Sequence, residues 1–377
     1  MSFLGFLTDG LMLITWKHML MWGIGALLIY LAIKKDFEPA LLLPLGFGAI
    51  LVNIPLSNVI TQTIPGYGEV EGIINFLFDA GIASEVFPLL LFIGIGAMID
   101  FTPLLSNPKM IFFGAAAQFG IFGTLLLAVM LGFDIKDAAS IGIIGAADGP
   151  TSIFVANFFN SQYLGAITVA AYSYMALVPI IQPFAIKLVT TKKERMIRMP
   201  YHSKTVSQTV KILFPIGVTL VAGIIAPSSI SLIGMLMFGN LIRESGVLGS
   251  LSKTAQNELV NLITLLLGLT IALKMEATAF LTIDTLKITL LGLIAFIFDT
   301  VFGVLFVKFL NLFSKTKMNP MVGAAGISAF PMSARVIHKM ALKEDKYNFI
   351  LMHTVGANVA GQIASVIAGG LIIYLVR

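Results

Sequence analysis

The sequence predicts an all-α polytopic membrane protein built from two repeats, and three observations predict it. Hydrophobic residues make up 58% of the 377 residues and charged residues only 11%, whereas soluble domains carry about 25% charged residues. Apolar runs of membrane-spanning length recur along the chain. A basic segment divides the chain almost in half, and a similar order of elements follows it. This composition excludes a soluble globular protein.

In the N-terminal half, apolar runs bounded by charges, prolines or glycines predict the membrane elements. They are a span at 19–33, a shorter apolar piece at 40–52, an interfacial helix at 73–80, spans at 85–99 and 109–132, an interrupted element at 137–160, and a span at 163–189. Residues 53–72 are rich in proline, glycine and polar residues, so we expect a long loop there.

A basic stretch at 187–211 contains seven Lys or Arg and one acid, so the positive-inside rule predicts that it is cytoplasmic. A plain solvated loop that sets the topology explains it fully. We therefore divide the chain into an N-terminal transmembrane repeat at 1–190, a basic cytoplasmic linker at 191–206 and a C-terminal transmembrane repeat at 207–377. The C-terminal elements are spans at 212–226, 229–242, 259–275 and 285–310, an interrupted element at 319–338, and a final span at 348–376.

The two interrupted elements occupy matching places in the two halves. GAADG at 145–149 corresponds to GAAGI at 323–327, and each is preceded by two spans and followed by one long span. If each half contains an odd number of crossings, the repeats are inverted, which is common in secondary transporters. We therefore predict inverted repeats whose interrupted or re-entrant helices meet at a central ion site, while the number of true crossings stays open.

Asp148 lies between two apolar half-segments and is followed directly by Gly149 and Pro150. An ionised carboxylate at mid-bilayer depth costs roughly 2.5 kcal/mol or more, and Pro150 disfavours helix at the preceding residue. One alternative is a loop between two short helices with Asp148 as an N-cap. The flanking runs are too short to span lipid, and irregular backbone at depth requires protein or a watery cavity around it. The pattern thus predicts a broken helix with an ion site.

The polar residues of the interrupted elements and of the long spans after them are carboxylate, amide and hydroxyl groups. Oxygen ligands suit a hard cation, and one carboxylate suits a monovalent cation, so sodium is the predicted ion. The absence of cysteine excludes a thiol nucleophile and a thiolate metal site. The net charge of +5 is spread over loops and indicates orientation rather than nucleic-acid binding.

Two further features each have a functional interpretation and a simpler one. Asp299 is a second acid at membrane depth, and it serves either as a coupling site or as a helix-packing acid bonded to Thr300 and its neighbours. The sequence ALKMEA around Lys274 resembles a biotin-attachment sequence. Such a lysine must lie on an exposed turn of a soluble domain, whereas Lys274 ends an apolar helix, so we interpret the match as chance.

Five motifs together resemble the beta subunits of sodium-pumping biotin-dependent decarboxylases that act on oxaloacetate, methylmalonyl-CoA or glutaconyl-CoA. They are DFTPLLSNPK, GAADGPTSI, MFGNLIRESGV, NPMVGAAGISAFPMSARV and HTVGANVAGQIASVIAGG. The likeness is strong over 85–377 and looser before it. It implies a membrane subunit, in a bacterial or archaeal-type cytoplasmic membrane, that decarboxylates carboxybiotin and uses this reaction to export sodium ions.

The resemblance also implies the functional residues. These are Asp148, Tyr174, Asn319, Gly323, Ser328, Arg335 and Asn358. We expect sodium to be bound by Asp148, Asn319, Gly323, Ser328 and Asn358, and the chemistry to involve Asp148, Tyr174, Ser328 and Arg335. Arg335 follows Ser328 by seven residues, which in a continuous helix puts both on one face. Arg335 is therefore the candidate to bind the carboxyl group of carboxybiotin, with a snorkelling arginine or a partner charge for Asp148 as alternatives.

The implied cofactors are the sodium ion and a carboxybiotin held on a partner rather than on this chain. The implied partners are a biotin carrier, a carboxyltransferase alpha subunit and a small single-span subunit, and assembly into a homo-oligomer stays open. A sodium-coupled secondary transporter with no chemistry is the alternative function, because inverted repeats alone support it equally. A purely structural anchor leaves the buried acid unexplained.

Overall fold

A computed structural model describes residues 10–64, 68–200 and 205–377, and almost all of its regular structure is helical. Within these residues, six helices are long and apolar enough to cross a membrane, and two bent helix pairs raise the number to eight if each pair is one span. The six helices are Trp16–Lys35, Pro108–Met130, Gln208–Ile225, Gly249–Met275, Ile283–Phe313 and Leu351–Val376. The predicted all-α polytopic membrane class is confirmed.

Each bent pair has an identifiable local feature at its bend. Helices Ile73–Ala83 and Val86–Met98 meet at 58°, where Glu85 adopts a left-handed backbone with φ of 66°. Helix Leu164–Val189 bends by 72° after Met175. Pro179 lies four residues later and has no amide to donate to the Met175 carbonyl, which is the usual origin of a helix kink.

The remaining elements are short. Outside the two interrupted elements, they are the helices Pro39–Val52, Thr102–Ser106, Lys192–Arg195, Ile230–Glu244 and Ala277–Phe280, the 3-10 helix Pro227–Ser229, and the antiparallel strands Gln62–Ile64 and Gly68–Val70. The two strands form a ribbon inside the segment predicted as a loop. Helix Gly249–Met275 begins ten residues before the predicted span at 259–275, because its first turns contain polar residues that the hydropathy pattern excludes.

The first interrupted element is a re-entrant hairpin, which we call the first hairpin (residues 135–158). Its arms are Ile135–Gly142, continued by Ile143–Ala146, and Gly149–Phe158. The two ends lie together, because Ser161 Oγ donates a hydrogen bond of 2.6 Å to Asp137 Oδ1. Ala147 turns the chain with a left-handed φ of 54°. The arms therefore enter and leave at the same end of the helix bundle.

The second interrupted element is also a hairpin, which we call the second hairpin (residues 319–344). Its helices are Met321–Ala324 and Met332–Glu344, with residues 325–331 between them. Both ends are anchored to the linker, because Asn319 Nδ2 and Asn348 Nδ2 donate to the Arg195 carbonyl at 2.8 and 3.0 Å. This hairpin therefore opens toward the linker.

The long helix Ile283–Phe313 reaches from the base of one hairpin to the base of the other. Near its start, Asp284 Oδ2 accepts a hydrogen bond of 3.0 Å from Tyr163, which lies beside the base of the first hairpin. Near its end, Lys308 Nζ donates to the Val189 carbonyl beside the linker. These contacts are about 36 Å apart along the helix. The hairpins thus enter from opposite ends, as inverted repeats require, while the inversion of the whole repeats and the domain boundaries at 1–190 and 207–377 stay predictions.

Helices of each half pack against helices of the other half. Helix Pro39–Val52 packs on helix Gly249–Met275 of the other half, and helix Ile230–Glu244 packs on Val86–Met98. An asparagine holds each contact: Asn53 Nδ2 donates to the Met275 carbonyl and Asn240 Nδ2 to the Ile99 carbonyl, both at 2.9 Å. These contacts join the two halves of the bundle.

Candidate functional site

The tips of the two hairpins meet at the centre of the bundle. The Ser328 amide of the second hairpin donates a hydrogen bond of 3.0 Å to the Ala146 carbonyl of the first. The left-handed turn at Ala147 then places Asp148 in an extended conformation as the N-cap of helix Gly149–Phe158. The N-cap alternative from the sequence is therefore present within the buried hairpin tip.

Asp148 is 3% exposed, and its two carboxylate oxygens differ in their contacts. Oδ2 accepts hydrogen bonds from Thr151 Oγ1 at 2.8 Å, Gln362 Nε2 at 3.1 Å and Ser365 Oγ at 3.0 Å. Among the described residues, Oδ1 accepts one bond, from the Thr151 amide at 3.4 Å. The carboxylate is thus fixed through Oδ2, and Oδ1 keeps capacity for a further partner.

Ser328 connects the second hairpin to this carboxylate. Its Oγ lies 2.5 Å from Ser365 Oγ and 3.0 Å from the Gly361 carbonyl, and Ser365 in turn contacts Asp148. A chain of hydroxyl groups therefore runs from one hairpin through helix Leu351–Val376 to the other. Hydroxyl oxygens in such a chain can donate to a carboxylate or present lone pairs to a cation.

Asn358 lies at the same junction and has an unused acceptor. Its Nδ2 donates a hydrogen bond of 2.6 Å to the Ile327 carbonyl in the second hairpin. Its Oδ1 is fully buried without a hydrogen-bond partner among the described residues. Leaving such an oxygen unpaired is costly, so it is a candidate ligand for a cation. Asn358 also precedes Gln362 by one helical turn, on the face that contacts Asp148.

Two of the predicted ion ligands lie elsewhere on the second hairpin. Asn319 is buried at its base, where Nδ2 donates to the carbonyls of Arg195 and Ile197 at 2.8 and 2.9 Å. Gly323 packs against Gly303 of the long helix so closely that a Cβ would overlap the Gly303 carbonyl. The structure therefore brings Asp148, Ser328 and Asn358 together and gives Asn319 and Gly323 contacts with the linker and the long helix.

The predicted chemical residues Tyr174 and Arg335 are not joined to Asp148 by a hydrogen bond of the described residues. The Tyr174 hydroxyl donates to the Thr289 carbonyl of the long helix. Arg335 is exposed, and the described part of the chain gives it no ion pair. Helix Met332–Glu344 begins after Ser328. Ser328 and Arg335 therefore do not share a helical face, and the prediction that they do is wrong.

Two residues of the site were missed from the sequence, Gln362 and Tyr172. Gln362 could have been found, because Asn358, Gln362 and Ser365 follow the spacing of one helical face. Tyr172 lies against Gly149, where a Cβ would overlap its ring. Nothing in the sequence distinguishes Tyr172 from Tyr174, since their roles depend on which face of the helix points inward.

Ion pairs fix the base of the second hairpin to the linker. Arg195 Nε lies 2.7 Å from Glu344 Oε1, and Arg198 contacts both oxygens of Asp345 at 2.6 and 3.0 Å. The hydrogen bond from Arg198 holds the pKa of Asp345 below its ordinary value. The described first part of the linker is therefore bound to this hairpin through Arg195 and Arg198.

Asp299 lies behind the tip of the first hairpin. It is fully buried, and a Cβ on either Gly120 or Gly145 would meet its carboxyl group. Thr300 next to it has a buried hydroxyl that makes no hydrogen bond with the described residues. A hydrogen bond between the Asp299 carboxyl group and the Thr300 hydroxyl is thus absent among the described residues. The packing role and the coupling role of Asp299 both stay predictions.

Comparison with known proteins gives matches over nearly the whole chain. Residues 17–376 match the family described as the Na+-transporting oxaloacetate decarboxylase beta subunit. The chain is 48% identical over 368 residues to the glutaconyl-CoA decarboxylase subunit beta of Acidaminococcus fermentans, with 98% of this chain and 96% of that protein covered. It is 48% identical over 367 residues to the methylmalonyl-CoA decarboxylase subunit beta of Veillonella parvula, with 97% and 95% covered. It is 44% identical over 420 aligned positions to the oxaloacetate decarboxylase beta chain of Klebsiella pneumoniae, with 97% of each covered.

Proposed function

Because this chain belongs to the family of Na+-transporting decarboxylase beta subunits, we propose that it decarboxylates carboxybiotin and couples this reaction to sodium export. It is an integral inner-membrane protein and the sodium-translocating component of a decarboxylase. Delivery of the carboxyl group on a separate biotin carrier, and the outward direction of transport, are parts of the proposal.

The observation that carries the proposal is the position of Asp148. It is a buried acid at the junction of two hairpins that open toward opposite ends of the bundle. We assign the sodium site to Asp148, Ser328 and Asn358, with Gln362 and Ser365 holding the carboxylate. A single carboxylate with neutral oxygens suits a monovalent hard cation. A small shift of either hairpin would expose this site to one membrane face.

The energy requirement explains why the chemistry and the transport must be coupled. Moving one charge against 100 mV requires about 2.3 kcal/mol, and a tenfold gradient requires about 1.4 kcal/mol. One exported sodium ion therefore needs about 3.7 kcal/mol and two ions about 7 kcal/mol. Decarboxylation can supply this energy only if each step of the reaction changes the access of the ion site.

The chemistry needs a site that excludes water, a group that binds the carboxylate of carboxybiotin, and a proton donor. Carboxybiotin loses carbon dioxide more easily out of water, and the ureido anion that remains requires a proton. We propose that Arg335 binds the carboxyl group through two parallel bonds, which a lysine cannot form. Tyr174 is the proposed proton donor, in a conformation in which its bond to the Thr289 carbonyl is open.

Asn319 and Gly323 keep a proposed part in sodium binding through movement of the second hairpin. In the present conformation the amide of Asn319 holds the linker and Gly323 packs on the long helix. If the hairpin shifts, these contacts change together with the contacts of Ser328. Asp299, behind the first tip, would respond to a shift of the other hairpin.

Co-purification of partner subunits tests the proposed function. Purified from native membranes, it should bring with it a biotinylated carrier, a carboxyltransferase alpha subunit and a small single-span subunit. Avidin should bind the complex and stop sodium-dependent release of carbon dioxide. A secondary transporter without chemistry would instead drive sodium-coupled transport alone, and avidin would have no effect on it.

Removing the unused acceptor at the junction tests the sodium site. We expect Asn358→Ala to raise the sodium concentration for half-maximal decarboxylation about tenfold, equivalent to about 1.4 kcal/mol, because one neutral ligand is lost. Asn257→Ala is the matched control, since Asn257 is exposed and bonded to its own helix. An unchanged sodium titration in Asn358→Ala would exclude this oxygen from the site.

The role of Arg335 is tested by a charge-conserving change. We expect Arg335→Lys to lower the decarboxylation rate at saturating sodium by about tenfold or more, because an ammonium cannot form the bidentate bond. Sodium-induced thermal stabilisation should be retained. Arg243→Lys serves as the control, since Arg243 binds the Met98 carbonyl near the surface. Parallel loss of stabilisation and rate in Arg335→Lys would assign this residue to the ion site instead.

A further inference from the structure

Helix Leu164–Val189 carries two tyrosines that point in different directions. Tyr172 and Tyr174 lie two positions apart in the sequence, which is about 200° around a helix. The Tyr174 hydroxyl is bonded to the Thr289 carbonyl of the long helix. The Tyr172 ring lies instead against Gly149, the residue that follows Asp148. The tyrosine beside the central acid is therefore Tyr172.

The Tyr172 hydroxyl is buried and unpaired. The residue is 6% exposed, and its hydroxyl has no hydrogen-bond partner among the described residues. Buried tyrosine hydroxyls usually have a hydrogen-bond partner, because burying a hydroxyl without a hydrogen bond costs free energy. An unpaired hydroxyl inside a functional centre points to a ligand that supplies the missing contact.

The surroundings of this hydroxyl favour a cation as that ligand. The hydroxyl lies beside Asp148, because the Cζ atom that carries it is the ring atom nearest to the position of a Cβ on Gly149, the next residue. Asp148 Oδ1 has only the long bond of 3.4 Å from the Thr151 amide among the described residues. Asn358 Oδ1 at the same junction is also unpaired. The negative charge and the unused oxygens both suit a hard cation.

We propose that the Tyr172 hydroxyl oxygen is a ligand of the sodium ion bound at Asp148, together with Asn358 Oδ1. The neutral hydroxyl gives its lone pair to the ion, and its proton stays available to a second acceptor. Gly149 makes this possible, because only a residue without Cβ lets the ring approach the backbone beside Asp148. This inference rests on the proposed function and adds a ligand to its site.

The test is Tyr172→Phe, which removes the hydroxyl and keeps the ring that packs on Gly149. In the purified complex, we expect the sodium concentration for half-maximal thermal stabilisation to rise about tenfold, and that for half-maximal decarboxylation to rise equally. Tyr374→Phe is the control, because Tyr374 is 69% exposed, and it should titrate as the wild type does. If Tyr172→Phe expresses poorly, Gly149→Ala displaces the ring instead and should give the same rise.

Three outcomes decide the inference. A rise in both half-saturating concentrations supports it. Unchanged half-saturating concentrations overturn it, including the case in which the rate at saturating sodium falls, because the hydroxyl then serves the chemistry. A wild-type complex that shows no sodium response overturns the proposed function itself, and that result is visible before any variant is compared.

Discussion

Asp148→Asn should abolish sodium-dependent decarboxylation in membranes that contain the chain at the wild-type level. Asparagine keeps the shape of the side chain and removes the charge that binds the cation. Its amide also places a donor where Oδ2 now accepts from Thr151, Gln362 and Ser365. We expect a loss of rate of at least about a hundredfold, equivalent to about 2.7 kcal/mol, measured as carbon dioxide release during a sodium titration.

Asp134→Asn is the matched control for this experiment. Asp134 directly precedes the same hairpin and is exposed, where it caps the first arm by accepting a hydrogen bond of 3.0 Å from the Lys136 amide. It should retain near wild-type sodium activation. Wild-type activation in Asp148→Asn, at normal membrane insertion, would remove Asp148 from the ion site.

Gly361→Val should detach the second hairpin from helix Leu351–Val376. A Cβ on Gly361 would overlap the Gly326 carbonyl, and a Cβ on Gly326 would overlap the Phe113 carbonyl, so the backbones have no room to adjust. The Gly361 carbonyl also accepts a hydrogen bond from the Ser328 hydroxyl. Overpacking of this kind costs about 3 kcal/mol. We expect a lower melting temperature of the purified complex and loss of decarboxylation.

The same substitution at Gly217 controls for the effect of valine in a membrane helix. A Cβ there meets nothing within 4 Å, so Gly217→Val should melt near the wild-type temperature and retain activity. Equal melting temperatures for Gly361→Val and the wild type would show that the hairpin does not depend on this close contact.

Hydropathy predicted most of the helices, because lipid requires long apolar segments in a chain of this composition. The start of helix Gly249–Met275 was not predictable in this way, since its first turns are polar and lie at the edge of the apolar run. The ribbon formed by residues 62–64 and 68–70 is stabilised by backbone pairing, which a proline- and glycine-rich composition does not reveal.

Re-entrance of the hairpins also depended on contacts that the sequence does not show. The turn at Asp148 was predictable from Gly149 and Pro150. Whether the chain then continued or returned was decided by bonds such as that between Ser161 and Asp137.

Within the site, the sequence identified the residue types better than their partners. The structure places Asp148, Ser328 and Asn358 at one junction, and their roles as sodium ligands stay predictions. The hydrogen bonds of Ser365 and Gln362 that complete this junction join distant parts of the chain, so the sequence does not show them. The prediction that Ser328 and Arg335 lie on one helical face is wrong because residues 325–331 are not helical. The distinction between Tyr172 and Tyr174 required the orientation of a bent helix against both hairpins.

Simultaneous measurement of sodium transport and carbon dioxide release tests the central claim most directly. The purified complex should be reconstituted into sealed proteoliposomes with the wild-type chain or with Asp148→Asn. The account predicts that the wild type moves sodium in a fixed ratio to carbon dioxide released, that avidin stops both, and that the variant does neither. Carbon dioxide release that continues at the same rate without sodium, or sodium movement that avidin does not affect, would contradict it.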